Sequence, residues 1–240
     1  MPEAMVLAGA LAGGFVSGLT GFGTGLTALG LWLHVLEPTV AAVLVVVCSV
    51  VGQLQSLFRL RRAVQWSLAW PFLAGGLIGV PLGVVLLRHV DAQTLRNLLG
   101  AFLVAYTGLL LALRRMPVVA RWGGRLADGV VGTGSGVLGG LAGLSGVMMT
   151  LWCGLRGWTP DHQRGVYQPF NLIVLSIALG LYVAQGQLDH QMLELSLLCL
   201  PATLLGGALG LRLYGRVNAD QFRRIVLGLL LASGLVLTLS

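Results

Sequence analysis

At 240 residues the chain has the length of one or two ordinary domains, yet 56% of it is hydrophobic and only 10% charged, against about 25% charged in a typical globular protein. Mean hydropathy is +0.89, so there is too little charge to cover a water-facing surface, and an ordinary soluble fold is excluded. The net charge of +7 comes from 15 basic residues, all arginine, against 8 acidic ones. They lie between long apolar runs, where arginine sets orientation across a bilayer, so lipid rather than nucleic acid is the partner implied.

In chain order the uncharged stretches are 4–36, 39–58, 63–87, 97–113, 129–155, 165–188, 195–211 and 225–240. About 20 helical residues cross the hydrocarbon core, so most of these read as single spans. Glu3 and the lack of an early basic cluster argue against a cleaved leader, and the first segment is expected to stay. Cys48, Cys153 and Cys199 each sit inside an apolar run without metal-ligand spacing and read as packing residues.

Segments one and five differ from the rest. As one helix, 4–36 would be roughly 50 Å long, beyond the membrane thickness. Glycine crowds both, and the runs Gly21-Phe22-Gly23-Thr24-Gly25 and Gly143-Leu144-Ser145-Gly146 are poor helix interiors and good tight turns. A shift of 122 residues places Gly14 on Gly136, Gly18 on Gly140, Gly21 on Gly143 and Pro38 on Pro160. A shift of 131 places Gly75, Gly76 and Gly79 on Gly206, Gly207 and Gly210. This order of matches reads as a duplication.

The arginines choose between crossing and folding back. If all eight segments crossed, the arginines would divide seven against eight. If segments one and five are re-entrant hairpins, all but Arg88 and Arg96 fall on one side, which the positive-inside rule places in the cytoplasm. A chain in which only segment one crosses scores equally, but breaks the repeat. The expected fold is an all-α integral membrane protein of two inverted repeats, each a broken, re-entrant helical hairpin plus three transmembrane helices. The first repeat is 1–115, a cytoplasmic linker 116–126, and the second repeat 127–240, with both termini outside.

Irregular backbone at membrane depth must be buried by protein or meet a watery cavity. Two such turns related by a pseudo-twofold should face each other near the midplane. Each starts a half-helix, near Gly23-Thr24 and Ser145-Gly146, whose free N–H groups and positive dipole end form an anion site. The candidate substrate-binding residues are therefore Thr20, Gly21, Phe22, Gly23 and Thr24 with Gly143, Leu144, Ser145 and Gly146. Thr24 and Ser145 either donate to the anion or cap their half-helices. Ser49, Gln53 and Ser56 form a polar stripe at i, i+4, i+7 on the following helix. Arg164, Gln168 and Asn171 repeat that spacing in the second half, with Tyr167 beside them. Such stripes either glue helices or line a pathway. Arg164 is near enough to a helix end to snorkel, and Gln53, Arg164, Tyr167, Gln168 and Asn171 join the candidates. Glu194 reads as the only acidic residue near a span, at an interface. Ser145 in its GxSG setting matches an intramembrane serine protease, but the later spans hold no histidine base.

The runs GGFVSGLTGFGTG (Gly13 to Gly25), GTGSGVLGGLAGLSG (Gly132 to Gly146) and RGVYQPFN (Arg164 to Asn171) resemble the TauE/SafE family of sulfite and organosulfonate permeases over essentially the whole length. Thr24 stands where the family usually has glycine. The resemblance implies a bacterial or archaeal inner-membrane carrier for sulfite or an organosulfonate such as sulfoacetate, not an enzyme and without a cofactor; the residues alone reach only "anion". The expected function is secondary transport by alternating access between inverted halves. No ATP-binding P-loop is present, so coupling would use a proton or sodium ion, or the substrate's own gradient. A passive channel for small anions or neutral solutes is the alternative. The sequence leaves direction and oligomeric state open.

Overall fold

The computed structural model describes residues 2–60, 64–112 and 123–214, and every regular element among them is an α-helix. They run α1 (Pro2–Thr20), α2 (Thr24–Trp32), α3 (Pro38–Leu60), α4 (Trp66–His89), α5 (Ala92–Ala112), α6 (Gly124–Ala142), α7 (Gly146–Leu155), α8 (Pro160–Ala184) and α9 (His190–Leu213). The eighth apolar segment, 225–240, lies outside the described residues, as does most of the expected linker. The linker's last three positions, 124–126, are already helix: α6 starts five residues before the apolar run at Gly129. Among the described helices, α1, α3, α4, α8 and α9 are long and apolar enough to cross a membrane.

Segments one and five are each broken where the glycine runs lie. α1 stops at Thr20 and α2 starts at Thr24; α6 stops at Ala142 and α7 starts at Gly146. Gly21 (φ 85°), Gly23 (φ 100°) and Gly143 (φ 68°) turn the chain through the left-handed region, where a side chain costs about 1–2 kcal/mol. Both pieces are hairpins whose ends lie side by side. Trp32 Nε1, ending α2, donates to Val6 O at the start of α1 (2.9 Å). Trp152 Nε1 and Arg156 Nη2, at the end of α7, both reach Asp128 Oδ1 in the second turn of α6 at 2.7 Å.

Asp128 corrects the sequence reading, which placed Glu194 alone near a span. Asp128 lies inside α6 and is buried, its ion pair with Arg156 only 13% exposed on either side. The Glu194 side chain is 69% exposed and meets His190 at 3.3 Å. Asp128 escaped notice because it precedes the hydrophobic run and its partner is 28 residues away.

Close crossings organise the bundle. α4 packs along α6, and α1 along α9. A methyl group on Gly79 would lie 2.1 Å from Thr133 O on α6, and one on Gly136 would lie 2.7 Å from Gly76 O on α4. At the other crossing, a methyl on Gly18 would lie 2.3 Å from Gly207 O, and one on Gly210 would lie 2.2 Å from Phe15 O. Backbones this near exclude any larger residue, which is how small-xxx-small faces bring helices together where lipid removes the hydrophobic drive. The glycines that match between the halves are thus largely these crossing residues. α3 and α8 pass each other at the centre.

α8 carries Pro169 in its interior. Proline has no N–H, so Gly165 O, four residues earlier, loses its helical donor. The amide of Gln65, in the connection before α4, takes that place at 3.0 Å. The first turns of α8, Arg164 included, are therefore pinned to the α3–α4 connection.

Candidate functional site

The first turn is held from three helices. Thr20 Oγ1 bonds back to Val16 O at 2.9 Å and accepts from the Phe22 amide at 3.3 Å, so its hydroxyl shapes the turn. Gln53 Nε2 on α3 donates to Gly21 O at 2.9 Å. From α8, Tyr167 OH donates to Thr20 O and Arg164 Nη2 donates to Gly18 O at 2.8 Å. The rings of Phe22 and Tyr167 meet edge to face at 5.9 Å. Gln53 is the sixteenth of 23 residues in α3, which puts this turn well inside the bundle.

The second turn docks on α8, where Ser145 Oγ donates to Asn171 Oδ1 at 2.9 Å. Asn171 is the twelfth of 25 residues, the middle of that helix. The two turns touch. A methyl on Gly146 would lie 2.5 Å from Phe22 Cβ, and one on Gly25 would lie 2.9 Å from Leu144 Cδ2 and 3.3 Å from Gly143 O. The structure therefore brings the two glycine turns together at one crossing, with Gln53, Arg164, Tyr167 and Asn171 bonded to them.

Their roles differ from the simplest expectation. Neither half-helix has a side-chain cap: the residue before α2 is Gly23, and Ser145, before α7, spends its hydroxyl on Asn171. Among the described residues no backbone carbonyl accepts from the amides of Thr24, Gly25 or Leu26, nor from those of Gly146 and Met148. Those first-turn donors face the crossing with the positive ends of their helices.

Arg164 does not snorkel. It is 2% exposed and turned inward, and its Nη2 donates to the last turn of α1, where a cation also meets the negative end of that helix. Among the described residues Nε and Nη1 have no hydrogen-bond partner, nor has Nε2 of Gln168, one turn further along the same helix. Among the described residues no carboxylate lies within ion-pairing distance of Arg164. A buried cation left with unused donors is costly unless an anion or water completes it. The unpartnered edge looks toward the place a side chain would occupy on Gly21: a methyl there would lie 2.8 Å from Arg164 Nε and 2.8 Å from Tyr167 Cε2. The arrangement is a small cluster of buried hydrogen-bond donors.

Sequence reasoning missed several participants. Tyr182 OH on α8 donates to Gly140 O on α6, and Tyr214, just beyond α9, stacks its ring 4.0 Å from the Arg164 guanidinium. A lone tyrosine 50 residues from the arginine carries no spacing signal. The only hint was the glycine crossing of α1 with α9, which delivers the end of α9 to this place.

The family described as "Sulfite exporter TauE/SafE" matches residues 5–237. Among curated proteins, the chain is similar to the "Probable sulfite/organosulfonate exporter TauE" of Cupriavidus necator, 28% identical over 242 residues that cover 95% of this chain and 90% of that protein. It is also similar to the "Probable inner membrane transporter protein TsaS" of Comamonas testosteroni, 27% identical over 180 residues covering 74% of each. No solved structure matches. The buried helical crossing and the match along nearly the whole chain agree: the chain belongs to the TauE/SafE family of transporters, a multi-pass inner-membrane protein and not an enzyme.

Proposed function

We propose that the chain is a secondary carrier for a small sulfur oxyanion, sulfite or an organosulfonate such as sulfoacetate, and that the anion binds where the two broken hairpins cross. The observation that carries this reading is Arg164, buried beside a helix break with two guanidinium nitrogens, Nε and Nη1, unpartnered among the described residues. Arg164, Tyr167 and Gln168 supply side-chain contacts, and the amides after Gly23 and Ser145 supply the rest. Gln53 and Asn171 hold the turns. The printed names of the relatives support the substrate class.

Alternating access between inverted halves, 1–115 and 127–240, is supported by reciprocal packing. The first hairpin arm, α1, lies along α9 of the other half, and its counterpart α6 lies along α4. The arginine distribution supports hairpins that return to their own side, with the Arg59 and Arg164 ends cytoplasmic. Rocking of one half against the other would then expose the crossing to either side.

A binding panel on purified protein tests the substrate class. Sulfite and sulfoacetate should bind saturably and compete with each other, and acetate should bind at least about tenfold more weakly, a difference of 1.4 kcal/mol. Acetate binding as tightly as sulfite removes the sulfur-oxyanion assignment.

A further inference from the structure

Tyr214 covers one face of the Arg164 guanidinium. It follows directly on α9, and its ring centroid lies 4.0 Å from the Arg164 Cζ atom. Its hydroxyl donates to Asp161 Oδ1, three residues before Arg164 on α8. Burial first, then the Asp161 carboxylate, hold the phenol above its ordinary pKa, so it keeps the proton it donates. Arg164 lies behind the ring, with its unpartnered edge toward Gly21. The Tyr214–Asp161 bond is itself exposed, so water competes for it, whereas the Arg164–Gly18 bond behind it is buried. One layer is easily opened and the next is fixed.

We propose that Tyr214, tethered by Asp161, is the closure of the anion site at the end of the molecule where α8 begins and α9 ends, and that it must swing away for an anion to pass between Arg164 and that side. The inference rests on the anion-site reading above for the identity of what passes, but not for the closure itself. A cation–π contact together with one tether makes the lid tight enough to shield the arginine and weak enough to release it.

Phenylglyoxal, which modifies arginine side chains, reads the closure directly when the Arg164 peptide is followed by mass spectrometry in the purified protein. Tyr214→Ala should accelerate labelling of Arg164 by about tenfold or more, the loss of one cation–π contact and one hydrogen bond. Tyr214→Phe keeps the ring and loses the tether, as does Asp161→Ala, and both should fall between wild type and Tyr214→Ala. Should Tyr214→Ala fail to fold, these two variants decide the matter, and labelling at the wild-type rate in both overturns the lid. Wild-type labelling in well-folded Tyr214→Ala overturns it equally. Sulfite added to Tyr214→Ala separates the two readings: protection of Arg164 supports both, while fast labelling that sulfite does not slow supports the lid and contradicts the anion site.

Discussion

Gly21→Val and Gly143→Val should both abolish sulfite binding, and the corresponding alanines should separate the reasons. Each position has a left-handed φ, so alanine imposes a similar backbone cost of about 1–2 kcal/mol at both. Their surroundings differ. A methyl on Gly21 points at Arg164 Nε and the Tyr167 ring, both at 2.8 Å, whereas the atoms nearest to one on Gly143 belong to Val45 and Val46, Val45 Cγ1 at 2.5 Å. Gly21→Ala should therefore lose an additional charge-assisted contact worth about 1.5–3 kcal/mol, roughly ten- to over a hundredfold in affinity beyond Gly143→Ala. Calorimetry on variants that elute as folded protein measures the difference. Equal losses at the two positions would move the anion away from Arg164.

Arg164→Ala should eliminate measurable sulfite binding and lower thermal stability as well. Its Nη2 is the donor to Gly18 O at the end of α1, and removing it leaves a buried carbonyl unpaired at a cost of about 1–3 kcal/mol. Arg164→Lys retains the charge but not the planar fork. An ammonium cannot stack beneath Tyr214, hold Gly18 O and present a two-donor edge to an oxyanion together. Lysine should thus recover part of the stability and little of the affinity. Full affinity in Arg164→Lys would show that bidentate recognition plays no part and that the residue serves to orient the helix.

What could be read from the chain alone follows from how local each cause is. The breaks at Gly21–Gly23 and Gly143–Ser145 were legible because positive φ selects glycine at the residue itself, and the spans were legible because lipid demands continuous apolar runs. The face shared by Arg164, Gln168 and Asn171 follows from helical spacing. Their depth does not, and the inward turn of Arg164 depends on the α1 carbonyl it finds 146 residues earlier. Ser145 illustrates the same limit: its hydroxyl was suited equally to an anion or a cap, and the fold assigns it to Asn171. Asp128 and Tyr214 were invisible for a related reason, since each acquires its meaning only when a glycine crossing or hairpin closure brings a distant arginine to it. The loss of a helical donor at Pro169 was legible in principle, but its replacement by the Gln65 amide was not.

The central claim, a carrier that binds its anion at the hairpin crossing and exposes it to one side at a time, is tested most directly by counterflow of radiolabelled sulfite in proteoliposomes. Vesicles loaded with unlabelled sulfite and diluted into a trace of labelled sulfite should accumulate label transiently above equilibrium. The initial rate should saturate with sulfite concentration, and Arg164→Ala should abolish the overshoot. Flux that rises linearly without saturation or overshoot would mean a passive channel, and an undiminished overshoot in folded Arg164→Ala would place the transported anion somewhere other than the crossing.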